Sequence, residues 1–169
     1  AILGISLFPN SGPEVSRCVT NGLEVTASAI YLPLHQQGWT YSIGLRLVGT
    51  AAERGYETCQ LKTRRWIIQE DGREPDTVQG DGVVGFLPIL GEGGWILNKE
   101  SDPHHEYVQQ QGLVPGPFCY QSLSGRSPSM KGSFGGELCF FPGTIRRPTG
   151  PPFEARLERF QLRVPEFIY

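Results

Sequence analysis

The sequence predicts an all-β fold in which two antiparallel sheets pack face to face, as in immunoglobulin-like or fibronectin type III-like sandwiches. Three observations lead to this prediction. Glycine (22) and proline (14) together exceed a fifth of the 169 residues, which disfavours long helices. Several segments alternate apolar and polar residues with the period of two that is expected of half-buried strands. About seven such segments follow one another at the short spacing typical of a sandwich.

The predicted strands differ in how regular their alternation is. The second is the clearest, because Trp39, Tyr41, Ile43, Leu45 and Leu47 all fall on one face. In the third and last strands the apolar positions change phase, which is typical of a β-bulge or a corner. The predicted strands span residues 23–31, 39–48, 59–70, 77–84, 118–123, 130–141 and 153–164.

Length and pattern together predict one domain with two elaborations. A chain of 169 residues fits a single domain. Residues 1–19 have no clear period and are predicted to form an N-terminal arm, so the sandwich is expected over residues 20–169. Residues 91–114 interrupt the rhythm of the strands and are interpreted as an insertion. Its apolar residues Trp95, Ile96 and Leu97 need cover, which either the sandwich itself or a partner protein would supply.

Charge and hydropathy exclude some classes of partner. The formal net charge of −2 gives no global field that would attract nucleic acid or an anionic membrane. No run approaches the roughly 18 apolar residues of a membrane span. The chain does not begin with Met, as is expected of a processed or incomplete product. We therefore expect an intracellular location, with a mitochondrion or plastid left open.

The four cysteines, Cys18, Cys59, Cys119 and Cys139, are predicted to be free thiols. No pair has the CxxC spacing of a zinc or redox site, and Cys119 and Cys139 fall inside apolar strands. The interpretation is therefore of buried thiols in a reducing compartment. A disulfide between two of them stays the alternative.

The most conspicuous motif is the run Gly80-Asp-Gly82-Val-Val-Gly85. In a dinucleotide-binding domain this pattern opens a helix whose N-terminus faces a pyrophosphate. Here Phe-Leu-Pro88 follows it, so no helix and no such cofactor are expected. Two interpretations remain: a place where backbones approach closely, or a loop whose N–H groups bind an anion such as pyrophosphate or a nucleotide. In the second, Arg64 would assist, and Arg65 or Arg126 could do so if they lie nearby.

No pattern in the sequence indicates catalysis. We find no nucleophile with a neighbouring base and no pair of carboxylates that the sequence places in opposed roles. The cluster Asp102-Pro-His104-His105-Glu106 has metal-ligating residue types, but adjacent histidines are more typical of a solvated loop. We therefore predict neither a metal site nor a resident cofactor nor enzymatic activity.

Five segments resemble the ApaG family, in order and at compatible spacing. Residues 60–68 are similar to the family's strand with the pattern Arg-x-Trp, and residues 77–85 followed by Pro88 are similar to its glycine signature. The other three segments are residues 115–122, 129–134 and 153–165. The similarity covers roughly residues 20–168. Ser129 and Glu158 depart from the family's glycine and proline, and the connection from Pro88 to Pro115 is much longer than the family's.

The resemblance implies a fibronectin type III-like sandwich, in agreement with the alternation of the strands. Bacterial members are associated with tolerance of divalent cations, and a pyrophosphate-binding role has been inferred from the glycine motif. Eukaryotic members occur in F-box proteins and in a polymerase delta-interacting protein, where the domain resembles a protein-interaction module. The first hypothesis is therefore a non-enzymatic interaction domain in a larger complex with other protein subunits, for which an organellar location is left open. The alternative is a small-anion binder, for pyrophosphate or a nucleotide, that uses Gly80, Gly82, Gly85 and Arg64 and is linked to divalent-cation homeostasis.

Overall fold

The computed structural model describes residues 8–35, 38–97, 112–125 and 131–164. Within them the chain forms eleven strands and one short helix. In order these are β1 (Val15–Thr20), β2 (Leu23–Tyr31), β3 (Gly38–Leu47), α1 (Ala51–Arg54), β4 (Cys59–Glu70), β5 (Asp76–Asp81), β6 (Ile89–Gly91), β7 (Gly94–Ile96), β8 (Val114–Pro115), β9 (Phe118–Gly125), β10 (Lys131–Pro142) and β11 (Phe153–Arg163). No helix in these ranges is long and apolar enough to cross a membrane.

The strands form two antiparallel sheets. Sheet A has the order β1-β2-β3-β9, and sheet B has the order β11-β10-β4-β6-β7-β8, with β5 also paired to β4. Two strands pair along the same edge of the long strand β4. Residues 63–68 of β4 pair with β5, and Cys59 and Gln60 pair with β6. The predicted antiparallel sandwich is therefore confirmed, and the structure adds β1, β6, β7 and β8 to the seven strands expected.

Alternate side chains fill the space between the sheets, as the period of two predicts. Ile43 and Leu45 from sheet A and Leu138 and Phe140 from sheet B are fully buried. Aromatic rings connect the layers around Phe134, whose ring centroid lies 4.9 Å from Tyr41, 5.5 Å from Trp66 and 5.5 Å from Phe160. Burying each such ring contributes about 2–3 kcal/mol.

Both phase changes seen in the sequence occur where the ladders shift register. Cys139 is opposite Thr63 but Phe140 is opposite Leu61, so Lys62 is the extra residue of β4. In the β10–β11 ladder Phe134 is opposite Phe160 and Gly136 is opposite Leu157, so β11 has one extra residue between these two pairs. Each extra residue returns the following apolar side chains to the core side of sheet B.

The start of sheet A differs from the predicted arm over residues 1–19, because residues 15–19 belong to β1. Val15–Thr20 pairs with β2 from Ser28 to Leu23. The polarity along this strand is inverted: Ser16 is buried, whereas Val19 is 52% exposed. An apolar period of two was therefore not visible. The strand β5 also differs, because it ends at Asp81 and not at residue 84.

The cysteine prediction is correct in one respect and wrong in another. All four thiols are free, but only Cys59 is buried, and Cys119 is exposed. Cys119 lies on the outer phase of β9, between the buried side chains of Phe118 and Tyr120. Because each strand of a two-layer sandwich turns one face away from the core, an apolar-looking run can still have a solvent-facing side.

A buried arginine organises the end of the sandwich near α1. The helix begins with a capping box in which Thr50 and Glu53 exchange side-chain to backbone hydrogen bonds. The side chain of Arg54 is 1% exposed, and its Nη2 lies 3.6 Å from a carboxylate oxygen of Glu92. Its Nη1 donates to the carbonyl oxygens of Val48 (3.1 Å) and Gly49 (2.7 Å). One guanidinium thus holds the β3–α1 loop and approaches the β6–β7 turn.

Candidate functional site

The glycine motif forms the end of β5 and a tight turn, which we call the glycine loop (residues 80–86). The N–H of Gly82 donates to the carbonyl oxygen of Lys62 at 2.8 Å, and Val83 and Phe86 exchange two hydrogen bonds of 2.9 Å. The two residues between them have positive φ angles, 51° at Val84 and 77° at Gly85. As expected from the sequence, no helix follows the motif.

Two of the three glycines have a structural requirement within the loop. Gly82 has a φ of 58°, and a Cβ atom there would overlap the carbonyl oxygen of Phe86. Gly85 needs its positive φ but has open space around it. Val84 has a β-branched side chain in the left-handed region, which is rare and strained; this side chain is 60% exposed.

Arg64 lies against the glycine loop and holds it. Its Nη1 donates to the carbonyl oxygens of Asp81 (3.1 Å) and Gly82 (2.6 Å). The guanidinium passes over Gly80, at 3.6 Å from the position that a Cβ would take. The structure therefore brings Arg64 to Gly82 through a hydrogen bond to its carbonyl oxygen, and to Gly80 through packing of the guanidinium over it.

The second arginine named with the motif, Arg65, makes its ion pair away from the glycine loop. Arg65 follows on the opposite face of β4, where its Nη1 is 2.9 Å from a carboxylate oxygen of Glu137. Arg126 and the residues from Asp102 to Glu106 lie outside the described part of the chain. Anion binding at the glycine loop stays a prediction. The donors available for it are the N–H groups of Val84 and Gly85 and the remaining nitrogens of Arg64, which have no partner among the described residues.

A groove of about 330 Å³ lies on the outer face of sheet B beside the glycine loop. Its lining residues include Arg64 and Arg65, the carboxylates of Asp81, Glu137 and Glu154, and the thiol of Cys139. Burial raises the pKa of that thiol, and Glu154 adds to the rise, while a hydrogen bond with Thr63 opposes it. Within the described ranges, no three His, Cys, Asp or Glu side chains are placed to hold a metal ion.

The two sides of the sandwich are closed to different degrees. On one side β1 and β11 meet: the N–H of Gln161 donates to the carbonyl oxygen of Pro13 at 2.9 Å, and the N–H of Arg156 donates to Thr20 Oγ1 at 3.2 Å. On the other side, among the described strands, β5 pairs only with β4 and β9 pairs only with β3. We call this second side the open side.

The ladder indicates which backbone groups of β5 face the open side. Gly82 donates to the carbonyl oxygen of Lys62, so the adjacent pair of Thr63 and Asp81 is a non-hydrogen-bonded pair of the antiparallel ladder. Hydrogen-bonded and non-hydrogen-bonded pairs alternate along such a ladder. The N–H and C=O groups of Thr77, Gln79 and Asp81 therefore point away from β4, toward the free edge.

Side chains on the inner face of the open side form what we call the inner gap: Arg64, Trp66, Val78 and Tyr120. Val78 pairs with Trp66 and shares its face, yet Val78 is 40% exposed while Trp66 is 2% exposed. Sheet A therefore does not cover β5. Burial raises the pKa of Tyr120 well above its usual value; Tyr41 adds to the rise, and the nearby charge of Arg64 opposes it.

Sequence reasoning did not select Val78, Gln79 or Tyr120 as site residues. One signal was available, since Val78 is the only apolar residue in the strand Asp76–Asp81. A strand with one apolar residue cannot bury a whole face in the core. This composition is typical of an edge strand, which need not bury a whole face.

The insertion residues named as partner-binding lie at one end of the open side. Trp95 makes an edge-on contact with Phe118, with ring centroids 5.3 Å apart. Trp95 and Leu97 pack against the core, and all three of Trp95, Ile96 and Leu97 are partly exposed. Of the two alternatives for covering these residues, packing against the sandwich itself is the one found for Trp95 and Leu97. A role of the three in partner binding stays a prediction.

These features define a small antiparallel β-sandwich domain with a glycine-rich turn beside a free strand edge. The family model described as the ApaG domain matches residues 33–137, more than half of the chain. The chain belongs to the ApaG domain family.

Two relatives show how the similarity is distributed. The F-box protein SKIP16 of Arabidopsis thaliana is 32% identical over 179 residues, which cover 99% of this chain and 36% of that protein. Protein ApaG of Anaeromyxobacter dehalogenans is 31% identical over 153 residues, which cover 89% of this chain and 97% of the relative. The chain thus spans about a third of the F-box protein and nearly all of this bacterial protein.

Solved structures agree with the fold. The crystal structure of the ApaA protein from Bordetella pertussis has a TM-score of 0.56 and 24% sequence identity, and the alignment covers 86% of this chain and 95% of that one. The X-ray structure of the structural genomics target SoR45 has a TM-score of 0.59 and 21% identity, over 88% of this chain and 92% of that one.

Proposed function

We propose that this domain binds another protein, without catalysis, by adding an extended segment of the partner to the free edge of β5. The observation that carries the proposal is the edge of β5 at Thr77, Gln79 and Asp81, which no described strand covers and whose inner-face neighbour Val78 is 40% exposed. Strand addition to an exposed sheet edge is a common mode of peptide recognition. The similarity to an F-box protein supports a role as one domain or subunit of a larger assembly.

Backbone groups supply the affinity in this mode, and side-chain pockets supply the specificity. The outward N–H and C=O groups of Thr77 and Gln79 and the N–H of Asp81 offer hydrogen bonds to a partner strand, while the Asp81 carbonyl already accepts from Arg64. Each such hydrogen bond contributes roughly 1 kcal/mol net. The free edge is short and has an aspartate at each end, Asp76 and Asp81. Charged residues on a short edge limit indiscriminate pairing with other strands, which suits an edge reserved for a chosen partner.

A proline at position 79 tests the edge directly. Because the N–H of Gln79 points away from β4, Gln79→Pro removes no bond of the β4–β5 ladder and blocks an incoming strand. Gln79→Thr is the matched control, since threonine keeps the N–H and favours strands. Peptides are first selected from a displayed library of random twelve-residue sequences against the wild-type domain, then synthesised and titrated calorimetrically into all three proteins.

We expect the selected peptides to bind the wild type and Gln79→Thr within a factor of about three, and Gln79→Pro at least tenfold more weakly, which corresponds to about 1.4 kcal/mol. Hydrogen exchange of the wild-type amides gives a second measurement that does not depend on folding of the proline variant. A bound strand should slow exchange at Thr77, Gln79 and Asp81. Equal binding by the proline variant, protection elsewhere on the surface, or no enriched peptide would each contradict the proposal.

The second candidate is binding of a small anion, such as pyrophosphate or a nucleotide, at the glycine loop. The observation in its favour is the set of donors without described partners at Val84, Gly85 and Arg64. The carboxylates of Asp81, Glu137 and Glu154 in the adjoining groove oppose it. Calorimetric titration with pyrophosphate and with a nucleoside triphosphate, each with and without Mg²⁺, decides: heat that Arg64→Gln abolishes supports the candidate, and no heat at millimolar ligand rejects it.

A further inference from the structure

Two buried hydrogen-bond donors in the inner gap have no acceptor. They are the hydroxyl of Tyr120 and the indole Nε1–H of Trp66, which make no hydrogen bond with the described residues. Tyr120 is 8% exposed and Trp66 is 2% exposed. Most buried polar groups in proteins are paired, so two orphaned donors in one region indicate that something else supplies the acceptor.

The two donors belong to one aromatic cluster across the sandwich. Tyr41 makes an edge-on contact with Tyr120 at 6.4 Å between centroids and a tilted contact with Phe134 at 4.9 Å. Trp66 packs on the same Phe134 at 5.5 Å. Arg64 precedes Trp66 by two residues on the inner face of β4, and its charge acts on Tyr120. Tyr120, Trp66 and Arg64 therefore all belong to the inner face of the open side, beside Val78.

Tyr120, Trp66 and Arg64 all offer hydrogen-bond donors. Tryptophan and arginine can only donate, and an unpaired tyrosine hydroxyl donates readily to an anion. The carboxylates of Asp81, Glu137 and Glu154 line the outer groove of sheet B, which Arg64 also lines, whereas Tyr120 and Trp66 do not line it. A positive charge with two neutral donors fits a carboxylate, because charge-assisted hydrogen bonds are the stronger kind.

We propose that the inner gap is a side-chain subsite that takes an acidic residue of the strand added to β5. This inference rests on the proposed function and deepens it by stating which partner sequence the edge selects. Alternate side chains of an added strand fall on the inner face, beside Val78.

The test uses three acetylated and amidated ten-residue peptides. Each alternates threonine and valine around one central residue, which is glutamate, glutamine or alanine, with a lysine at each end for solubility. The proteins are the wild type, Tyr120→Phe, and Tyr41→Phe as a control that loses a tyrosine hydroxyl from the same aromatic cluster. Affinities come from calorimetry, and thermal unfolding of each free protein is measured in parallel.

The glutamate peptide should bind the wild type at least tenfold more tightly than the glutamine and alanine peptides. Tyr120→Phe should remove most of that preference, and Tyr41→Phe should keep it. Because the Tyr120 hydroxyl makes no hydrogen bond with any described residue, Tyr120→Phe should not lower the melting temperature. A merely structural hydroxyl would lower it.

Equal affinity for glutamate and glutamine, no effect of Tyr120→Phe on the preference, or no binding of the glutamate peptide at millimolar concentration would each overturn the inference. These outcomes leave the edge proposal to be judged by the selected peptides and Gln79→Pro. If Gln79→Pro weakens those peptides while Tyr120→Phe changes nothing, the subsite fails and the edge stands. If Gln79→Pro has no effect, the edge itself fails.

Discussion

Replacing Gly82 by alanine should destabilise the domain more than the same change at either of the other two motif glycines. The φ of 58° at Gly82 places a new side chain in the left-handed region, which costs roughly 1 kcal/mol. The new Cβ would also overlap the carbonyl oxygen of Phe86, and forced overlap in a packed region costs about 2 kcal/mol more. The expected loss is therefore about 3 kcal/mol, or a fall in melting temperature of about 6–12 °C for a domain of this size.

The other two glycines are matched controls for this prediction. Gly85→Ala introduces strain at a φ of 77° but meets no atom within 4 Å, so we expect a loss of about 1 kcal/mol. Gly80→Ala adds a methyl group at an ordinary 3.6 Å from Arg64 Nη1, so we expect a change below about 0.5 kcal/mol. Urea unfolding followed by tryptophan fluorescence gives the three values. A loss at Gly82 no larger than at Gly80 would refute the reasoning from backbone geometry.

Three further predictions concern buried and capping side chains. Arg54→Met should lower the free energy of unfolding by about 2 kcal/mol in urea titrations, because the carbonyls of Val48 and Gly49 lose their donor; an unchanged unfolding midpoint would contradict this. Cys59 is fully buried and burial raises its pKa, so iodoacetamide with peptide mapping should label Cys119 in the native protein and Cys59 only after unfolding. Hydrogen bonds from Thr50 lower the pKa of Glu53 below its usual 4.5, so the capping contribution is present above pH 4.5 and is lost as the pH falls through the folded value. The stability difference between wild type and Thr50→Ala should therefore shrink on acidification, and a difference independent of pH would count against the capping box.

The strands that span the core could be predicted from sequence because their two faces differ. The second sheet-A strand was expected at residues 23–31 and is found at Leu23–Tyr31, and β4 was expected and found at Cys59–Glu70. Even the bulge at Lys62 was visible, since it moves the apolar residues from odd to even positions. Burial on one face imposes the alternation that makes such segments readable.

The short strands and the candidate site could not be predicted in the same way. The strands β6, β7 and β8 have two or three residues each, too few to show a period. The free edge of β5 depends on which strands are absent beside it, a property of topology that no local pattern reports. The glycine motif was found from sequence, but its tie to Arg64 runs through carbonyl oxygens of the main chain, which carry no residue-type signal.

The direct contact between β1 and β11 has a consequence for how this domain can be combined with others. The first and last strands of the sandwich are neighbours in space, tied by the hydrogen bonds from Gln161 to Pro13 and from Arg156 to Thr20. A host protein can therefore receive the sandwich at a single point of its own surface, with entry and exit side by side. The same adjacency should permit a circular permutant in which a short linker joins β11 to β1 and new termini open in an exposed loop.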